Sequence, residues 1–213
     1  METSTIEALL ERARTGDRTA VGLLLEGQRS ALERMLTLRI DGRLRARVDP
    51  LDIIQDSFLE ASSRLAEYLA NPTMPFRLWV RFIATQRLHA IYREHLGAQK
   101  RDVRREVPID GGDYRAWATS EALAAQLVGA FSTPSETVAR SELRARLRET
   151  LESLDAIDRE VIALRHFEQL GNQEIAQILA LDESAASKRY LRAMRRLSDR
   201  LARIPGMADY PWK

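Results

Sequence analysis

The 213-residue chain has no cysteine. This excludes disulfides, thiolate metal sites and iron–sulfur clusters, and suits a reducing compartment. Histidine is nearly as scarce. His89, His95 and His166 are the three present, none with a second ligand type at metal-binding spacing, and His89 and His95 would lie about 240° apart on a regular helix. No phosphate-binding glycine loop, dinucleotide fingerprint or nucleophile elbow occurs. No apolar run is long enough to span a bilayer, and the N-terminus alternates charged with apolar residues where a signal peptide would build an apolar core. These absences leave no catalytic residue, cofactor or metal to assign, and point to a cytoplasmic protein that neither crosses nor docks on a membrane.

What is present is helix-forming sequence and charge. Charged residues make up 30% of the chain and hydrophobic ones 45%, with a formal net charge of only +2. Basic residues cluster near Lys100–Arg105 and towards the C-terminus, so contact with a polyanion would be local. An all-α chain of two small domains is expected: 1–96, a linker over 97–134, a second domain over 135–204 and a tail over 205–213.

The second domain carries the clearest pattern. Leu170-Gly171-Asn172 ends one apolar-periodic run, with Asn172 placed to cap a short helix. Ala180-Leu181-Asp182 then separates that helix from a long one capped by Asp182. A short helix, a tight turn and a second helix spell a helix-turn-helix. At about 100° per residue, Lys188, Arg189, Arg192, Arg195, Arg196, Arg200 and Arg203 of the last helix fall within roughly 140°, with Asp199 among them. Tyr190, Ala193, Met194, Leu197, Leu201 and Ile204 fill the other side. Such a helix enters the DNA major groove by its N-terminal end, so Ser184, Ala185, Lys188, Leu191 and Arg192 are the expected base-edge readers. Arg189, Arg195 and Arg196 are better placed for phosphates. The long helix of the preceding segment, with Val138, Leu143, Leu147, Leu151 and Leu154 at helical spacing, should pack beneath.

In the first domain, breaks at Gly16-Asp17 and Ile40-Asp41-Gly42 bound amphipathic segments, one with Ile6, Leu9, Leu10 and Ala13, the next running from Val21 to Leu36. Asp49-Pro50 opens a third helix, proline being tolerated in the first turn. Its core face should be Ile54, Phe58, Ala61 and Leu65, leaving Asp52, Gln55, Asp56 and Ser57 outward. After the Asn71–Pro75 loop, a fourth helix from Phe76 to His95 mixes aromatics with arginines. Two readings of it stay open, a core stripe and a platform on which unpaired bases stack. Between Gly97 and Pro134, through Gly111-Gly112, the periodicity decays, apart from a short helix around Ser120–Val128.

Stretches in both domains together resemble the bacterial RNA polymerase sigma factors of the extracytoplasmic-function (ECF) type. Asp52-Ile53-Ile54-Gln55-Asp56-Ser57-Phe58-Leu59-Glu60-Ala61 is similar to the family segment that docks on the polymerase clamp, which implies polymerase-binding roles for Asp52, Gln55 and Asp56. Phe76-Arg77-Leu78-Trp79 through Gln86 resembles the segment that melts the promoter and captures a flipped base, which makes Phe76, Trp79, Arg81 and Gln86 melting candidates. Glu174-Ile175-Ala176 with the helix from Asp182 resembles the region that reads the minus-thirty-five element. The resemblance implies core RNA polymerase and promoter DNA as partners, an anti-sigma factor as a further one, and a linker threaded towards the RNA exit path. The chain departs from the family pattern in three places: the run Ala185-Ala186-Ser187-Lys188-Arg189 on the recognition helix, Ala180 where a turn glycine is usual, and Ala90 where the melting helix usually carries an aspartate. The promoter sequence therefore does not transfer. The competing readings are a stand-alone helix-turn-helix regulator with an N-terminal sensing domain and an all-helical interaction protein without a DNA role.

Overall fold

The computed structural model describes residues 3–40, 44, 47–97, 118–130 and 137–203, and the described residues form helices and turns without a strand. Contacts divide the chain into two compact units: Met1–Leu36 with Leu44–Ala116, and Thr37–Arg43 with Trp117–Lys213. The basic cluster near Lys100–Arg105, Gly111-Gly112, Pro134 and the tail from Pro205 lie outside the described residues, as do most of the Ile40-Asp41-Gly42 break and the side chains of His95 and Val138.

In the first unit, α1 (Thr3–Arg14) stops at Gly16, whose φ of 87° is open to glycine at little cost. Asp17 then caps α2 (Arg18–Glu26), accepting from the backbone N–H of Thr19 and Ala20 at 2.9 and 3.1 Å. The Ala20 amide and the Arg12 guanidinium hold the Asp17 carboxyl below its usual range. The expected single helix from Val21 to Leu36 is two. α2 ends at Gly27, and α3 (Arg29–Arg39) begins after Gln28, whose side chain turns back to the Leu24 carbonyl. Leu24, Leu25, Leu32, Met35 and Leu36 are all buried. Their spacing runs on across the break, so periodicity alone could not reveal it.

α4 (Pro50–Ala70) opens as expected, with the Asp49 carboxylate accepting from the Leu51 amide at 2.8 Å. Ile53, Ile54, Ala61, Leu65 and Tyr68 are buried, and Phe58 is half-buried under the Arg29 guanidinium. Ser57 is buried too, against expectation. Its hydroxyl bonds the Ile53 carbonyl at 2.6 Å, which satisfies the polar group inside the helix itself. α5 (Phe76–Gly97) packs along α4, joined through a loop that Tyr68 closes by donating its hydroxyl to the Met74 carbonyl at 2.9 Å.

The second unit contains α6 (Ser120–Ala130), α7 (Thr137–Glu152), α8 (Ala156–Ile162), α9 (Asn172–Leu179) and α10 (Glu183–Leu201). α8 runs on into a π-helical turn over Ala163–Phe167. One apolar core joins Leu123 and Leu127 of α6, Leu147 and Leu151 of α7, Val161 and Leu164, Ile175 and Leu179 of α9, and Ala193, Leu197 and Leu201 of α10. The short helix foreseen near Ser120 is thus built into this core, although it falls within the expected linker.

The end of α3 also belongs to the second unit, whereas the sequence reading placed it in the first domain. Leu38 is a core member, and its carbonyl accepts from the Thr119 amide at 3.1 Å. Arg39, 1% exposed, lies between the buried carboxylates of Glu160 and Glu168. Glu160 also accepts from the Ala118 amide at 2.8 Å. Burial alone would lower the Arg39 pKa, but the two glutamates more than offset it and hold it above the ordinary value.

Candidate nucleic-acid interface

α9 and α10 are set by the turn between them. Leu181 donates its amide to the Ala176 carbonyl at 2.9 Å, and Ala180 takes the left-handed conformation, φ 52° and ψ 48°. The turn therefore keeps the geometry for which glycine is suited, at a steric cost of about 1 kcal/mol for the Cβ. Caps differ in part from expectation. Asn172 is the first residue of α9; the amide of Gly171 before it is held by the Glu174 carboxylate at 2.8 Å. Asp182 precedes α10 as foreseen, but its side chain makes no capping bond.

α10 packs against α7, α8 and α9. Ala186, Ala193, Leu197 and Leu201 are buried and Tyr190 and Met194 lean on the same core. Opposite them, Ser184, Lys188, Leu191, Arg192 and Arg195 are exposed, while Ala185 is half-buried. Leu191 is 63% exposed, large for an apolar side chain, and stands between two cations. Arg192 leans back on its own helix, donating its Nε to the Lys188 carbonyl at 3.4 Å, and the exposed side chains of this row are available to base edges in a groove.

Arg189 and Arg196 are placed differently. Two turns apart on one flank of α10, each donates to the Asp158 carboxylate at 2.9 Å, one to each oxygen. Asp158, in the first turn of α8, is only 4% exposed. Arg196 also lies 3.7 Å from Asp155. Further along, Arg200 bonds the Ser153 hydroxyl. Sequence reasoning missed these partners because α8 and α10 are brought together only by the fold.

On α4, Asp52, Gln55 and Asp56 are exposed, as expected. Asp56 pairs with Arg87 of α5 at 3.1 Å. Two apolar neighbours on the same face were missed, Leu51 and Leu59, the latter 72% exposed. The signal was available, since positions 52, 55, 56 and 59 follow the i, i+3, i+4, i+7 rule and Leu59 fell outside the expected core stripe. On α5 the two readings resolve by burial. Phe76 and Trp79 are buried against Tyr68, with ring centroids 5.8 and 4.5 Å from it. They shape the start of α5 rather than offering their rings to a base. Arg81 and Gln86 are half-buried.

No cluster of histidine and carboxylate side chains among the described residues could hold a metal, and no helix among them is long and apolar enough to cross a membrane.

Residues 144–197, spanning most of α7 through most of α10, match the family model for sigma-70, region 4. Over nearly the full length the chain is 30% identical to the RNA polymerase sigma factor CnrH of Cupriavidus metallidurans, covering 89% of this chain and 91% of that one. It is 29% identical to the RNA polymerase sigma factor NccH of Alcaligenes xylosoxydans (92% and 94%) and 25% identical to the ECF RNA polymerase sigma-E factor of Haemophilus influenzae (94% and 97%). The solved structure of CnrH in complex with the cytosolic domain of CnrY aligns with a TM-score of 0.52 at 26% identity, covering 92% of this chain and 96% of that one. The helix-turn-helix, its exposed basic face and these full-length similarities together place the chain in the ECF RNA polymerase sigma factors.

Proposed function

We infer that this sigma factor divides its work between three surfaces. The outer face of α4, with Asp52, Gln55 and Asp56, docks on core polymerase. Arg81 and Gln86 of α5 line the melted DNA. On α10, Ser184, Ala185, Lys188, Leu191 and Arg192 read the upstream promoter element, while Arg189, Arg195 and Arg196 meet phosphates. The observation that carries the reading is the row of exposed side chains on the second helix of the helix-turn-helix, opposite a side packed on the core. Leu51 and Leu59, about 12 Å apart along the axis, bracket the three polar residues and add exposed apolar area to the α4 face, which suits protein docking. The factor works in the cytoplasm. CnrH is solved with the cytosolic domain of CnrY bound, which supports an anti-sigma protein as a further partner here.

Mixing the purified protein with core polymerase on a promoter library should start RNA synthesis at defined sites, as neither component does alone. Asp56→Arg should weaken polymerase binding with little change in melting temperature, because the Asp56–Arg87 pair is exposed and such pairs contribute about 0–1 kcal/mol. Undiminished polymerase binding by Asp56→Arg and by Gln55→Ala would move the docking surface elsewhere.

A further inference from the structure

Asp158 is a nearly buried carboxylate with no place in the sequence-derived site, yet both its oxygens are taken by arginines from the DNA-facing helix. One arginine would suffice to neutralise it. The charge of the second is balanced only by the exposed Asp155, and each guanidinium uses one nitrogen on Asp158. Arg196 is 56% and Arg189 31% exposed, so N–H donors remain on the solvent side of both. Residues 189 and 196 are separated by about 10.5 Å along the axis and only about 20° around it. They therefore form a row flanking the reading face of Lys188 and Arg192, on the side towards α8. Asp155, exposed and 3.7 Å from Arg196, is the weaker partner that a phosphate would displace.

We propose that Asp158 is a positioning residue that holds Arg189 and Arg196 as a pre-set clamp for two phosphates of one DNA strand beside the groove that α10 reads. An unrestrained arginine loses rotamer freedom when it binds; these two lose it on folding. The planar fork suits the task, since one edge can stay on the carboxylate while another meets a phosphate. The inference rests on the reading of Arg189 and Arg196 as phosphate contacts.

The test uses the full-length protein with core polymerase and two probes, a duplex selected from a randomised library by the wild-type complex and a random-sequence duplex. Affinities are measured between 50 and 200 mM salt. Asp158→Asn adds one positive charge to the complex, so a simple charge effect would tighten binding and steepen the salt dependence. Positioning predicts the opposite. Both probes should bind about ten-fold more weakly at 50 mM salt, and the slope of log affinity against log salt should fall by one to two units, each lost contact removing about 3.5-fold of the change over that range. A lower melting temperature with an unchanged slope would reduce Asp158 to a structural staple and overturn the proposal, as would a steeper slope with tighter binding. The double variant Arg189→Lys with Arg196→Lys decides the matter should Asp158→Asn unfold. It keeps both charges but replaces each fork with a point charge, and about a ten-fold loss is expected; wild-type affinity would overturn the clamp. If Arg189→Ala and Arg196→Ala leave the slope unchanged, the phosphate reading itself fails. If they flatten it and Asp158→Asn does not, only the positioning role falls.

Discussion

Arg39 offers the most demanding test of how the second unit is held together. Its guanidinium lies between Glu160 and Glu168, and the three side chains are 1–3% exposed. Arg39→Met keeps much of the volume, so the loss is electrostatic: two carboxylates stay in the core without their cation. Breaking a buried ion pair from one side costs about 3–5 kcal/mol, a large share of the roughly 5–15 kcal/mol that holds a domain. In urea, at slopes of about 1–3 kcal/mol per molar, the midpoint of the second unit should drop by more than about 1 M. Removing the stranded charges should reverse most of this. The partner change must be Glu160→Gln rather than Glu160→Leu, because Glu160 also satisfies the Ala118 amide and a leucine would orphan a buried N–H. With Glu168→Gln added in the same way, the triple variant is expected within about 1.5 kcal/mol of wild type. Circular dichroism of the full chain in urea reads all three proteins. A loss under about 1 kcal/mol in Arg39→Met, or no recovery in the triple variant, would refute the reasoning from stranded charge.

Three further outcomes follow from particular residues. Ala180→Gly should raise stability by about 1 kcal/mol, read as a higher melting temperature, because the left-handed turn is exposed and loses only a strained Cβ. Arg192→Ala should cost about 1–3 kcal/mol at the preferred upstream element and relax selectivity there, measured by sequencing the promoters initiated from a library; an unchanged sequence profile removes Arg192 from the readers. Burial lowers the His166 pKa below its unfolded value. The unfolded chain therefore binds the proton first, and this contribution, complete above about pH 6.5, is lost as pH falls below it. His166→Gln should flatten the dependence of the melting temperature between pH 7.5 and 5.5, and an unaltered dependence would assign it to other groups.

Helix periodicity, caps and breakers made much of this protein legible without coordinates. The apolar stripe of α10, the proline start of α4 and the break at Gly16-Asp17 are local signals, set by residues within one or two turns, and the structure repeats them. The exposed positions of Asp52, Gln55, Asp56, Lys188 and Arg192 follow for the same reason, since a side chain opposite an apolar stripe has nowhere to go but outwards. The Gly27 break escaped because the apolar rhythm continues across it, and Ser57 because a hydroxyl can be satisfied by its own helix four residues back.

What the tertiary structure decided depends on groups far apart in the chain. No periodicity could assign Phe76 and Trp79 to the packing around Tyr68, because an aromatic at helical spacing serves a core or a base equally well until its neighbours are known. The end of α3 joins the core of the second unit through Leu38 and the Arg39 pairs with residues more than a hundred positions away. Asp158 meets Arg189 and Arg196 only once α8 lies along α10. Local sequence specifies most of the helices and, where an apolar stripe is clear, the faces they bury. Which charges end up paired is a property of how those helices cross, because an ion pair needs a distance, and sequence separation does not supply one.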